Sequence, residues 1–154
     1  LGHDLMTLPH PVPAGLRRVE DGHSSRLIET DAAGLGRICL VTDAMSATGQ
    51  GNGRYLLGEL EVEVQDGTAR LVTADGTPGA IAGSTLTMAE AFKFAIQHVG
   101  LSIPEAAQIA ATTPARWHGL DEVGTLEAGK RADICVVGES GELRQVWRRG
   151  ERVA

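Results

Sequence analysis

The segment Arg37-Ile-Cys-Leu-Val-Thr-Asp43 joins a run of apolar residues to a carboxylate. A short, uninterrupted apolar run is typical of a strand buried on both faces of a parallel sheet, so the sequence predicts a strand over residues 37–41. Asp43 then lies just beyond the carboxyl end of that strand, where ligands bind in α/β sheets and barrels. A carboxylate held there can act as a general base or acid, although an aspartate that caps a turn or a helix would occupy the same position.

The residues after Asp43 carry a hairpin pattern and then helix patterns. Polar and apolar side chains alternate before the turn at Asp66, which predicts a β-hairpin near residues 59–72. Capping boxes that begin at Thr87 and Ser102 predict two helices, because each places a glutamate three residues after the capping hydroxyl. Pro114 starts a third, shorter helix, since proline is favoured at the first helical position.

The two ends of the chain differ in pattern. Residues 124–154 return to strand patterns separated by tight turns. Residues 1–24 are rich in proline and lack a period, so we expect loops there, and residues 25–33 have the composition of a short helix.

In the segment Ala80-Ile-Ala-Gly-Ser-Thr-Leu-Thr-Met88, a run of small residues up to Ser84 precedes the first capped helix. Such a run predicts backbone N–H groups that are free to bind a polar or anionic ligand, although most such segments are simply helix entries. His98 and His118 lie near helix carboxyl ends, which favours a surface role over metal binding.

The composition excludes several classes of protein. The 154 residues are 42% hydrophobic and 22% charged, as in a single soluble globular domain, and no segment approaches the roughly 20 apolar residues of a membrane helix. A net charge of −6 repels a phosphate backbone and does not attract an anionic membrane, so we expect neither as a partner. Cys39 and Cys135 lie far apart in apolar runs, which predicts buried free thiols and a cytoplasmic location.

Four segments, taken together, resemble one enzyme family. They are Leu40-Val-Thr-Asp-Ala-Met45, Ile81-Ala-Gly-Ser-Thr-Leu-Thr-Met88, Ala111-Thr-Thr-Pro-Ala-Arg116 and Gly124-Thr-Leu-Glu-Ala-Gly-Lys-Arg-Ala-Asp-Ile-Cys-Val-Val137. In their order along the chain and in their residues, these segments resemble the carboxyl-terminal part of the N-acetylglucosamine-6-phosphate deacetylases, in the amidohydrolase superfamily. The last segment is common to many amidohydrolases, whereas the first two together point to the deacetylases.

The resemblance implies an α/β fold made of the carboxyl-terminal part of a metal-dependent (β/α)₈ barrel plus strands of a small β-sandwich. Residues 1–123 would be an incomplete part of the catalytic barrel, with the hairpin near residues 59–72 inserted in it. Residues 124–154 would be sandwich strands, and residues 37–41 the eighth barrel strand.

The resemblance also implies an activity, the hydrolysis of the acetamide of N-acetylglucosamine 6-phosphate to glucosamine 6-phosphate and acetate. Asp43 matches the catalytic aspartate, which takes a proton from metal-bound water and passes it to the departing amine. Ile81, Ala82 and Gly83 match residues that line the sugar site. His23, in Asp21-Gly-His23, matches a substrate-contacting histidine, although the motif is one residue shorter than the family's.

The length of the chain limits what it can do alone. A (β/α)₈ barrel takes about 250 residues, so this chain supplies only its last one or two units. The main ligands of the divalent metal, zinc or similar, would lie in the missing part, so we expect the isolated chain to be inactive. We also expect it to need the missing barrel portion or to self-associate.

Two other interpretations stay open from the sequence. The segment that begins at Gly124 is shared across the superfamily, so the chain could belong to an amidohydrolase that acts on a cyclic amide or another N-acyl group. A non-catalytic binding or assembly module that kept this half of the fold would also carry these segments.

Overall fold

The computed structural model describes residues 34–154 and, upstream of them, the backbone of two strands, β1 (Leu16–Glu20) and β2 (Ser25–Glu29). These strands pair antiparallel, with Leu16 opposite Glu29 and Glu20 opposite Ser25. The expected helix over residues 25–33 is therefore wrong for residues 25–29, and the expected loop over residues 1–24 contains β1. In this ladder the N–H and C=O groups of β2 bond to the neighbouring strand β1. In a helix the same groups would bond to each other within residues 25–33.

Within the described chain, residues 41–91 form one compact unit around a four-stranded antiparallel sheet. Its strands follow chain order and are β3 (Gly53–Leu57), β4 (Leu60–Gln65), β5 (Thr68–Val72) and β6 (Pro78–Ser84).

The alternation along β4 determines which face of this sheet is buried. Val62 and Val64 are buried, while the glutamates on either side of Val62 are exposed. The two valines pack in a core cluster with Met45, Ala47, Ala69 and Ala82. The predicted hairpin near residues 59–72 is confirmed as β4 and β5, because a period of two buries one face of a strand.

Residues 34–40 and 92–154 belong to a second unit, built around helices. Its helical segments are α1 (Met88–Gln97, which begins in the first unit), α2 (Ile103–Ala107), a π-helical turn (Gln108–Thr112) and α3 (Thr113–Trp117). The core of this unit contains Ala95, Val99, Leu101, Ala106 and Ile109. Apolar spacing along α1, α2 and the π-helical turn places one face of each against this core. Within residues 34–154 no helix is long and apolar enough to span a membrane.

The second unit also holds a three-stranded antiparallel sheet of β7 (Ile134–Val137), β8 (Leu143–Arg148) and β9 (Glu151–Arg152), in that order. Just before β7, the Arg131 guanidinium pairs with the carboxylates of Glu122 and Asp133. The Arg149 N–H donates to Asp133 at 2.8 Å and, together with the charge of Arg131, lowers the pKa of that carboxyl. The strands predicted after Gly124 are confirmed as β7, β8 and β9. Cys135 on β7 is exposed and Cys39 is half-buried, so the expected burial of both thiols is wrong.

The strand expected over residues 37–41 is not formed. Leu35–Arg37 is a 3₁₀ turn, and residues 38–43 have no strand assignment. The Leu40 N–H donates to the Ile109 carbonyl at 2.8 Å, so the backbone pairs here with a helical segment. Val41 is 70% exposed. An apolar run becomes a buried parallel strand only beside neighbouring strands, and in the described chain this run has a helix as its backbone partner.

Candidate functional site

Asp43 lies in a short backbone bridge between two segments of the first unit. The Ser84 N–H donates to the Asp43 carbonyl at 2.9 Å, and the Met45 N–H donates to the Ser84 carbonyl at 2.8 Å. This pair of bonds is an isolated parallel bridge between Ala44 and Ser84. Asp43 itself has a left-handed backbone, with φ 51°, and an exposed side chain. The bridge thus joins the backbone of Asp43 to the end of β6.

The three residues expected to line a sugar site precede Ser84 on β6. Ile81 is 60% exposed, whereas Ala82 is buried in the core of the sheet. Gly83 has φ +88°, and a Cβ atom at this position would lie 3.3 Å from the Asp43 carbonyl oxygen. The structure therefore brings Asp43 and the Ile81–Gly83 segment together. The catalytic and sugar-binding roles of these residues remain predictions.

In the connection from β6 to α1, backbone N–H groups donate hydrogen bonds to side chains of the same segment. The Leu86 N–H donates to Ser84 Oγ at 2.8 Å, and the Thr87 N–H donates to Glu90 Oε2 at 2.9 Å. Glu90 N–H in turn donates to Thr87 Oγ1 at 3.2 Å, which completes the predicted capping box. These three amides are therefore paired within the chain, which favours the alternative that this segment is a helix entry; anion binding by the segment stays a prediction.

The described residues do not provide a ligand set for the metal that the resemblance implies. Within residues 34–154 no group of three His, Cys, Asp or Glu side chains could hold a metal ion, and Asp43 belongs to no such group. His23, the other predicted substrate contact, lies outside the described residues. The described residues therefore supply Asp43 and the segment predicted to line a sugar site, but they do not fit a metal centre.

The two later histidines lie on the surface of the second unit, as predicted. The His98 ring stacks on Phe94, with 4.7 Å between ring centroids, and its side chain is exposed. His118 is exposed at the end of α3. Neither histidine lies in a group that could bind a metal.

The sequence analysis missed two hydroxyl residues beside Asp43. Thr48 Oγ1 donates to the Ser84 carbonyl at 3.3 Å, and the Ser84 backbone forms both bonds of the bridge. No local pattern links these positions, because they lie far apart along the chain and meet only through the bridge. Ser84 ends the small-residue run, but nothing in the run indicates its partner.

Comparison with known proteins identifies the group to which the chain is similar. It is 37% identical over 116 residues to a putative N-acetylgalactosamine-6-phosphate deacetylase of Escherichia coli strain K12, with 75% of this chain and 66% of that protein covered. It is 36% identical over 145 residues to the N-acetylglucosamine-6-phosphate deacetylase of Bos taurus, with 94% of this chain and 32% of that protein covered.

A solved structure of a deacetylase is also similar to this chain. It is a variant of the Mycobacterium smegmatis N-acetyl-D-glucosamine-6-phosphate deacetylase in which an aspartate is replaced by alanine, in complex with N-acetyl-D-glucosamine-6-phosphate. The match has a TM-score of 0.71 and 40% identity, and covers 80% of this chain and 32% of that one. The resemblance to these deacetylases is therefore confirmed. The chain spans about a third of the length of the bovine and mycobacterial proteins.

A family model gives the broadest statement of membership. The model of the amidohydrolase family matches residues 59–153, which is more than half of the chain. This range contains β4 to β9, the predicted sugar-facing segment and the segment that begins at Gly124. The chain belongs to the amidohydrolase family.

Proposed function

We propose that this chain is the carboxyl-terminal segment of a deacetylase that hydrolyses the acetamide of N-acetylglucosamine 6-phosphate to glucosamine 6-phosphate and acetate. The observation that carries the proposal is the bridge that holds Asp43 beside Gly83, in a chain 40% identical to a deacetylase crystallised with this sugar phosphate. A carboxylate next to a sugar-facing segment is the arrangement that acid–base catalysis of amide hydrolysis needs.

Asp43 would move one proton in this reaction. It accepts the proton of a water molecule as the oxygen of that water attacks the acetamide carbonyl carbon. When the C–N bond breaks, Asp43 donates the proton to the amine nitrogen, which leaves on glucosamine 6-phosphate while acetate carries the new oxygen. No step is assigned to a metal, since residues 34–154 do not fit one.

The finer architecture is part of the same proposal. Residues 1–123 would complete a (β/α)₈ barrel with residues from elsewhere, and residues 124–154 would form sandwich strands. The antiparallel β7–β9 sheet supports the second assignment, because sandwiches are built from antiparallel sheets. We place the enzyme in the cytoplasm and in amino sugar metabolism. The divalent metal, zinc or similar, would be held outside residues 34–154.

A hybrid enzyme tests the activity. Residues 34–154 replace the matching segment of the Mycobacterium smegmatis deacetylase, and acetate release from N-acetylglucosamine 6-phosphate is measured. We expect the hybrid to be active, and Asp43→Asn to lower its turnover by about 10² or more, the scale of a general acid or base. The isolated chain should release no acetate.

A matched control separates catalysis from backbone strain. Asp66 is an exposed aspartate in the same unit and has a similar left-handed backbone, with φ 49°. Asp66→Asn should leave turnover at the parental level. An Asp43→Asn hybrid as fast as its parent would end the assignment of Asp43.

The Escherichia coli relative favours a second substrate, N-acetylgalactosamine 6-phosphate, because its name specifies that sugar. The two sugars differ only in the orientation of one hydroxyl. Comparing kcat/KM of the hybrid for the two sugar phosphates decides between them.

The same assay tests the two alternative functions. A preference for unphosphorylated or cyclic amides would indicate a different amidohydrolase. A folded hybrid without any hydrolase activity would favour the binding-module alternative.

A further inference from the structure

The backbone of Asp43 is left-handed, and hydrogen bonds from a distant segment fix it there. A left-handed backbone is uncommon for residues other than glycine, although aspartate tolerates it better than most. Such a conformation persists only where the surrounding structure imposes it. At Asp43 the surrounding structure is the bridge. In it, the Ser84 N–H donates to the Asp43 carbonyl, and the Ser84 carbonyl accepts from the Met45 N–H. The orientation of Asp43 therefore depends on the position of Ser84.

Gly83 allows this bridge to form. Its φ of +88° turns the end of β6 towards Asp43, a conformation that favours glycine. A Cβ atom there would lie 3.3 Å from the Asp43 carbonyl oxygen and 3.5 Å from Met45 Cβ. The first contact is tighter than ordinary van der Waals packing, so an alanine would push directly on the peptide group of Asp43.

Thr48 adds a further hydrogen bond to the carbonyl of Ser84 in the bridge. Its hydroxyl donates to the Ser84 carbonyl at 3.3 Å, the same oxygen that accepts the Met45 N–H. Its own N–H donates to the Met45 carbonyl at 3.0 Å, so that Thr48 closes the turn that follows the bridge. Thr48 does not belong to the predicted sugar-facing segment, and its hydrogen bonds link it to Ser84 and Met45, the two residues that flank the bridge to Asp43.

We propose that Gly83 and Thr48 are positioning residues for Asp43, which keep its backbone left-handed and thereby aim its carboxylate. This inference rests on the proposed function and adds to it a role beyond the lining of the sugar site. Small displacements of a reacting group lower turnover steeply, so the absence of a side chain at Gly83 matters for rate as well as for fold.

Amide hydrogen exchange in the full 154-residue chain tests the structural half of this proposal. We expect Gly83→Ala to speed exchange of the Ser84 and Met45 amides by about tenfold or more, because both bonds of the bridge weaken. Gly76→Ala is the matched control, since Gly76 has φ +79° in the same unit but no atom within 4 Å of its would-be Cβ. It should leave both amides unchanged.

Thr48→Val provides a second variant that removes one hydroxyl at nearly constant shape. It should also speed exchange of these two amides, and Thr48→Ser should restore the parental rates. Unchanged exchange of both amides in Thr48→Val would overturn the proposal, whether or not Gly83→Ala folds.

Kinetics of the hybrid deacetylase test the catalytic half. Thr48→Val should lower kcat by about tenfold with KM unchanged, and Thr48→Ser should recover it. Parental kcat in Thr48→Val, in a hybrid that Asp43→Asn inactivates, would overturn the positioning role alone. Parental turnover in Asp43→Asn would instead count against the proposed function, and the exchange experiment would still decide whether Gly83 and Thr48 hold Asp43.

Discussion

Three residues other than glycine have a left-handed backbone in the described chain, and they differ in cause. Asp66 and Arg149 each precede a glycine in a two-residue hairpin turn, where such angles are required. Asp43 precedes an alanine, and its conformation depends on Ser84. Local sequence accounts for the first two residues, whereas tertiary contact accounts for the residue that we assign to catalysis.

A buried hydroxyl has a comparable tertiary role in the second unit. Thr113 is fully buried, and its Oγ1 donates to the Leu35 carbonyl at 2.9 Å. We expect Thr113→Val to lower the free energy of unfolding by about 1 kcal/mol, because the hydrogen bond is lost at constant shape. Urea unfolding followed by circular dichroism measures the change. Thr113→Ser should keep the bond, and a valine variant as stable as the parent would contradict this role.

The capping boxes of α1 and α2 show how side chains define helix starts. At α2, Ser102 Oγ accepts from the Glu105 N–H at 3.5 Å and the Ser102 N–H donates back to the Glu105 carboxylate at 2.8 Å. At α1, Thr87 and Glu90 exchange the same bonds. Two amides of each first turn are thereby satisfied by residues three apart, which is why both boxes could be recognised from the sequence.

The box at α1 predicts a dependence of stability on pH. Bonds from the Thr87 N–H and hydroxyl lower the pKa of the Glu90 carboxyl below its ordinary value of 4.5. The stabilisation is therefore present above pH 4.5 and is lost as the pH falls through the lower, folded-state pKa. In urea unfolding, the parent should exceed Glu90→Gln in stability at pH 7, and the difference should shrink below pH 4.5. A difference that stays constant down to pH 3 would contradict this role.

The turn between β7 and β8 packs closely on α1. Gly141 is buried with φ +82°, and a Cβ atom there would lie 2.7 Å from Ile96 Cδ1 and 3.2 Å from Lys93 Cα. Gly129 has φ +90° but no atom within 4 Å of its would-be Cβ.

Gly141→Ala should therefore cost about 1–3 kcal/mol more than Gly129→Ala, because only the first variant adds overpacking to backbone strain. Thermal unfolding of both variants measures the difference. Equal losses of stability would show that strain alone matters.

At the scale of the whole molecule, the exposed apolar side chains of the second unit predict association. Trp117, Leu120 and Leu126 are 66%, 49% and 73% exposed. The three lie within one stretch of ten residues, and exposed apolar side chains mark an interaction surface where they form a contiguous patch. We expect the isolated 16.2 kDa chain to form larger species as its concentration rises from about 10 µM to about 200 µM. Sedimentation velocity checks this, with Trp117→Gln as the weakened variant. A single monomer at both concentrations would contradict the prediction.

The sequence by itself determined the elements whose signals are local. The hairpin of β4 and β5, the two capping boxes and the strands after Gly124 all follow from residues a few positions apart, and the structure confirms them. Asp43 was also singled out from its place after an apolar run, which the resemblance to the deacetylases strengthened.

Only the tertiary structure decided how distant segments meet. The apolar run of residues 37–41 is no strand, because the Leu40 N–H pairs with a helical carbonyl, and residues 25–29 are a strand because residues 16–20 lie beside them. The contact of Asp43 with Gly83 and Ser84 joins segments about forty residues apart, and no periodicity in the sequence encodes it. Hydrogen bonds and close contacts between remote residues depend on the folded path of the chain, which short-range patterns do not specify.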